Sequence, residues 1–135
     1  MGEEQRAGSV EIGIVVSDLD EAVKFYGDTL GLPYIGDMEL PNAVMKRFSH
    51  GDAVIKLLGG FEPTPAAHAP GGMSAGVTGF RYLTLKVDDV GAMQQRCADA
   101  GHTVAVPMFE FRPGLHISIV EDPDGNWVEL VPGTA

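Results

Sequence analysis

The chain has 135 residues, 19 acidic against 9 basic, a formal net charge of -10 and an ordinary hydrophobic fraction of 44%. A chain of this length buries roughly two-thirds of its unfolded surface, enough for one domain to fold without disulfides or a structural metal. The acidic balance excludes the basic footprint that nucleic acid or an anionic membrane surface requires; it would suit a cationic ligand, although solubility alone accounts for it. No apolar run approaches membrane-spanning length, and the opening MGEEQRAGS lacks the basic and apolar regions of a signal peptide. A soluble, cytoplasmic protein is expected. Cys97 is the single cysteine, so no disulfide framework exists and the thiol is expected as a small core residue.

In chain order, Val10 to Val16 is β-branched and apolar and reads as a strand. Ser17 or Asp18 then offers an N-cap, with acids in the first turn where the helix dipole favours them. Leu19, Ala22, Val23, Tyr26 and Leu30 recur on one helical face, and Gly31 followed by Pro33 ends the helix. Strands are predicted at about Tyr34 to Met38, Ala43 to Ser49 and Ala53 to Leu58, with His50 to Asp52 as a hairpin turn. The Gly-, Pro- and Ala-rich stretch that follows marks a linker over about 60–78.

The order then repeats over about 79–132, giving a first module at about 9–59 and a second after the linker. FRYLTLKV reads as a strand, and DDVGAMQQRCADAG as a capped helix with Val90, Met93, Cys97 and Ala100 inward. HTVAVPMF is a third element, and LHISIVEDPDGNWVELV is a hairpin whose Pro and Gly suit a type I turn with a bulge. Val16-Ser17-Asp18-Leu19 aligns with Val87-Asp88-Asp89-Val90 at an offset of 71, and Val54 to Leu58 with Trp127 to Val131 at an offset of 73. The shared order of elements makes duplication of one unit the better account of these short matches.

Alternation along the strands separates the faces. Ile12, Ile14 and Val16 can pack on a helix while Glu11 points to the other side. By the same parity Tyr82, Lys56 and Glu129 occupy inner positions, Tyr82 matching Glu11 and Glu129 matching Lys56 across the repeat. Four polar side chains are thus expected at equivalent places.

GIVVSDLDEAVKFYGDTLGL, the VDDV that opens the second helix and the closing DPDGNWVELV together resemble the vicinal oxygen chelate superfamily. That family includes glyoxalase I, methylmalonyl-CoA epimerase, extradiol dioxygenases, fosfomycin-resistance enzymes and bleomycin-binding proteins. The resemblance spans nearly the whole chain. It implies an α+β fold of two tandem βαβββ modules, forming a curled mixed sheet around a central cavity with helices on the outer face. It also implies a homodimer, but does not fix an activity.

Metal-dependent members hold a divalent cation with His or Glu at positions that map onto Glu11, Lys56, Tyr82 and Glu129. Only Glu129 matches the usual ligand. Tyr82 is an infrequent one, and an ammonium at Lys56 has donors where a lone pair is needed. No metal or other cofactor is therefore expected. Instead, Lys56 is expected to stand between the two acids in place of the cation. These groups form either a structural ion-pair network or a catalytic set. In the catalytic reading, Glu129 or Glu11 abstracts a proton next to a carbonyl, and Lys56 and Tyr82 stabilise the oxyanion.

Phe80 and Trp127 share the inner parity and, with Met108, Phe109 and Phe111, are candidates for an apolar wall, which core packing explains equally well. Arg112 is a candidate carboxylate clamp at the edge, and His116 either faces the cavity or solvent. His50 and His102 fall at turns and are expected to be solvated. His68 lies in the linker, which is a candidate lid. No HxH or HxxxH pair occurs. Two functions follow: a metal-independent isomerase, epimerase or lyase acting on a small carbonyl compound, and a non-catalytic protein that binds a drug or metabolite, resembling the bleomycin-binding branch. A metal-dependent glyoxalase or dioxygenase stays open as a third.

Overall fold

A computed structural model describes residues 9–61 and 71–133. The first half comprises β1 (Glu11–Val15), α1 (Leu19–Val23) running into a π-helical segment (Lys24–Thr29), β2 (Tyr34–Leu40), β3 (Ala43–His50) and β4 (Ala53–Gly59). A 3-10 turn (Gly72–Ala75) precedes β5 (Tyr82–Val87), α2 (Val90–Asp99), β6 (Val104–Arg112), β7 (Leu115–Glu121) and β8 (Trp127–Pro132). The strands form two four-stranded sheets ordered β1-β4-β3-β2 and β5-β8-β7-β6. In each, the first strand pairs parallel with the last and the remaining pairs are antiparallel. This is an α+β fold of two βαβββ modules. The sheets remain separate, however, and do not close into one curled sheet.

Both helices start on an Asx cap. Asp18 accepts the Glu21 N–H at 3.1 Å, and Asp89 accepts the Ala92 N–H at 2.9 Å. The first helix then widens: the Leu30 N–H reaches the Phe25 carbonyl, five residues back, at 2.8 Å. The wider turn brings Phe25 as well as Tyr26 wholly into the core beside Ala22 and Leu30, while Leu19 and Val23 are only partly buried. Periodicity of 3.6 had no place for Phe25. In α2, Val90 and Cys97 are buried and Met93 packs against the core. Ala100 is exposed, contrary to the periodic reading, because it is the C-cap, where the backbone has left the helical spiral. Burial pushes the Cys97 thiol up to about 11.

One core joins the modules, combining Phe48, Ile55 and Leu57 of the first with Leu85, Val120, Val128 and Leu130 of the second. The helices are tied where Arg96 donates to the Asp28 carbonyl at 2.8 Å. The β7–β8 turn is built on Asp122, which is buried. Its two oxygens accept the N–H groups of Asp124 (2.9 Å) and Asn126 (2.8 Å), the Asn126 amide (2.9 Å) and the Tyr26 hydroxyl (2.7 Å). Gly125, at φ +86°, closes the turn by donating to the Asp122 carbonyl.

Three further bonds cross between the modules. Val54 N–H bonds the Val10 carbonyl and Val16 N–H bonds the Leu58 carbonyl, both at 3.0 Å, so the odd-numbered residues of β1 turn their backbone groups away from β4. The next odd residue, Ser17, donates its N–H to Asp124 at 3.1 Å, and its hydroxyl bonds the same carboxylate. Reciprocally, Lys86 on β5 donates its N–H to His50 Nε2 at 3.2 Å. Each module's β-hairpin turn thus caps the leading strand of the other. No helix among the described residues is long and apolar enough to cross a membrane.

Candidate functional site

Register explains the carboxylate in β1. Glu11 pairs with Val54 and Gly13 with Lys56, so Glu11 and Lys56 lie diagonally on the face away from the helix, while Ile55 and Leu57 enter the core on the other. Lys56 Nζ stands 3.3 Å from Glu11 Oε1, with the side chains 27% and 55% exposed. A pair this wet fixes side-chain geometry more than it stabilises the fold.

In the second sheet Tyr82 pairs with Trp127 and Thr84 with Glu129. The Thr84 hydroxyl donates to Glu129 Oε1 at 2.7 Å. Among the described residues no ion pair joins Lys56 to Glu129. The arrangement in which one lysine balances two acids is therefore corrected: Lys56 takes Glu11 and Glu129 takes a hydroxyl. Each polar pair forms within its own sheet, and the sheets are not continuous.

A cleft of about 900 Å³ runs along β1, the start of β5 and the approach to β8. Its walls are mostly apolar, from Val10, Ile12, Ile14, Val15 and Leu83, with Trp127 and Phe80 as aromatic groups. Glu11, Tyr82, Arg81, Asn126 and the Ser17–Asp124 pair supply its polar atoms. Of the four inner polar residues, the cleft brings together Glu11 and Tyr82; Lys56 touches it through Glu11, and Glu129 is not in its lining. Trp127 is buried and donates its indole N–H to Glu121 at 3.3 Å, whereas Phe80 stands fully exposed at the rim.

Other candidates lie elsewhere. His116 shares its side of β7 with Ser118, whose hydroxyl donates to Gln94 of α2 at 2.7 Å; that side is away from the cleft. Arg112 is exposed opposite Leu115 at the β6–β7 hairpin. Met108, Phe109 and Phe111 are exposed on the edge strand β6 and do not line the cleft. His50 and His102 are not simply solvated: His50 caps β5, and His102 packs edge-on against Phe25 with centroids 4.6 Å apart. His68 lies outside the described residues. Sequence reading missed Ser17, Asp124 and Arg81. The two aspartates of DPDG were a signal, since one turn needs only one of them.

The donor set does not fit a divalent cation of the kind the fold family suggests. At the mapped positions an ammonium already engages the Glu11 carboxylate, and among the described residues no three His, Cys, Asp or Glu side chains gather as a metal site.

The model of the Glyoxalase/Bleomycin resistance protein/Dioxygenase superfamily matches residues 8–130, and the chain belongs to that superfamily. Within it, the chain is similar to a probable lactoylglutathione lyase of Vibrio parahaemolyticus, 29% identical over 86% of this chain and 83% of that protein. Among solved structures it resembles a glyoxalase family protein from Bacillus cereus, with TM-score 0.77 and 17% identity over 90% of this chain and 91% of the other. It also resembles the trypanothione-dependent glyoxalase I of Leishmania major, with TM-score 0.71 and 22% identity over 91% and 84% of the two chains.

Proposed function

We propose that the protein is a metal-independent, glyoxalase-like enzyme that moves a proton next to the carbonyl of a small organic substrate, in an isomerase, epimerase or lyase reaction. The observation that carries this reading is the Glu11–Lys56 pair, 3.3 Å apart, beside the cleft that Glu11 and Tyr82 both line. Glu11 takes the proton from the carbon α to the carbonyl, and the C–H electron pair moves into an enolate. The Tyr82 hydroxyl donates a hydrogen bond to the enolate oxygen, and the proton returns from the Glu11 carboxyl to the enolate system. Lys56 orients Glu11, and Trp127 and Phe80 contact the apolar part of the substrate. Glu129, held by Thr84, supports the second sheet. The similarity to a protein named as a probable lyase favours this class. We also propose a homodimer, supported by the apolar side chains exposed outside the cleft at Met38, Phe109 and Phe111.

The test is hydrogen–deuterium exchange of small α-ketols and ketoesters in D2O, followed by NMR with chelator-treated protein. Wild type is expected to accelerate exchange, and Glu11→Gln to lose about a hundredfold or more of it. Unchanged exchange in that variant would overturn the assignment of the base. The second reading, a protein that only binds an apolar metabolite or drug, is favoured by the apolar walls of the cleft. Lys56→Met separates the two: turnover falls with ligand affinity largely kept in an enzyme, whereas a binder shows no turnover in either form.

A further inference from the structure

The 3-10 turn packs against Trp127, which lines the cleft. Gly72 is buried, sits at φ +52°, and is so close to the Trp127 indole that a Cβ at this position would stand 2.1 Å from Cδ2 and 2.2 Å from Cε3. Only a residue without a side chain can occupy that place. The contact is held by Arg81, which donates to the Gly72 carbonyl at 3.2 Å. The indole is fixed at a second point by its N–H bond to Glu121. Trp127 is therefore gripped on its ring and at its nitrogen while it lines the cleft. Its match in the first module, at the offset of 73, is Val54, so the flat surface exists in one module only.

We propose that Gly72 is a positioning residue for ligand binding: by packing its backbone on the indole it holds Trp127 as a flat wall, and the cleft thereby selects molecules carrying a planar apolar or aromatic group. A planar group gains from an offset or edge-on contact with a fixed ring, and fixing the ring in advance removes the entropy cost of ordering it on binding. A compact, non-planar group of similar size makes fewer contacts with the same wall. This inference rests on the reading of the cleft as the ligand site.

Because Trp127 is the single tryptophan, its emission reports on the wall directly. The probe is N-phenyl-1-naphthylamine, neutral and aromatic, whose binding is read by energy transfer from Trp127. The variants are Gly72→Ala and, as control, Gly76→Ala, which lies in the same turn at φ +75° with nothing within 4 Å of an added Cβ. Both carry the backbone strain of a positive φ, but only the first displaces the ring. Gly72→Ala is expected to shift the tryptophan emission and weaken probe binding about tenfold, with Gly76→Ala within about twofold of wild type. Equal emission and equal affinity in the two variants would overturn the proposal.

If Gly72→Ala fails to fold while Gly76→Ala folds, the clash with the ring is established and the wall is read from Trp127→Phe against Trp127→Leu, with binding followed by the probe's own directly excited fluorescence, since neither variant keeps a tryptophan. Retained binding in Phe with loss in Leu supports a planar wall, and equal binding overturns it. Failure of wild type to bind the probe would instead remove the reading of the cleft as a ligand site. The emission difference between the two glycine variants would still report whether Gly72 positions the ring.

Discussion

His102 shows how a single side chain links packing to pH. Its ring packs on Phe25, and burial lowers the imidazole below its usual value, against the opposing pull of the Asp122 and Glu21 carboxylates. The unfolded chain, with its histidine near 6.5, then binds the proton more readily than the folded one. Stability is therefore full above about 6.5 and falls as the pH drops through that value toward the lower folded one. Urea midpoints measured between pH 8 and 5 are expected to decline, and His102→Gln to flatten that decline. Nothing in the sequence marked this histidine, because its neighbour Phe25 is 77 positions away and was itself outside the helical stripe. Glu11 was more legible. A carboxylate between Val10 and Ile12 in a strand requires an open face, and the structure provides one.

At the scale of elements, strands and caps were readable and helix geometry less so. Asp18 and Asp89 sit where an N-cap needs them, and the alternation in β4 and β8 separates the polar side chains from the core. The π-helical widening left no periodic trace, since it depends on which carbonyl a single N–H selects. Strand β6 extends through Phe111 and Arg112, beyond Phe109, where the sequence reading ended this element; its register shifts accommodate Pro107 at the sheet edge. The β7–β8 turn carries the clearest energetic expectation. Asp122→Ala strands the Tyr26 hydroxyl and the turn amides, and is expected to cost about 3 kcal/mol, or roughly 10 °C in melting temperature. Tyr26→Phe removes one of these bonds and is expected to cost about 1 kcal/mol, since the carboxylate keeps its other donors. Differential scanning calorimetry of both variants checks the ratio.

For the molecule as a whole, duplication was visible in the order of elements and in two aligned segments, and so the fold followed. What the sequence could not convey was the relation between the two sheets. Strand parity fixes a face within one sheet, whereas convergence of Lys56 and Glu129 required knowledge of the gap between sheets. The apolar side chains left exposed on the edge strands β2 and β6 motivate the expected oligomer. Sedimentation equilibrium is expected to return twice the 14.3 kDa chain mass, and Phe109→Glu combined with Phe111→Glu to return the single-chain mass. A single-chain mass for the wild type would rule the homodimer out.

The exchanged caps, Asp124 on Ser17 and His50 on Lys86, carry a historical implication. Each half finishes a strand that the other leaves incomplete, and neither owns the full apolar interior. An ancestor one repeat long would have met both needs by self-association, its own loop closing its twin. Within one polypeptide that mutual dependence is intramolecular, with an aspartate as the cap on one side and a histidine on the other.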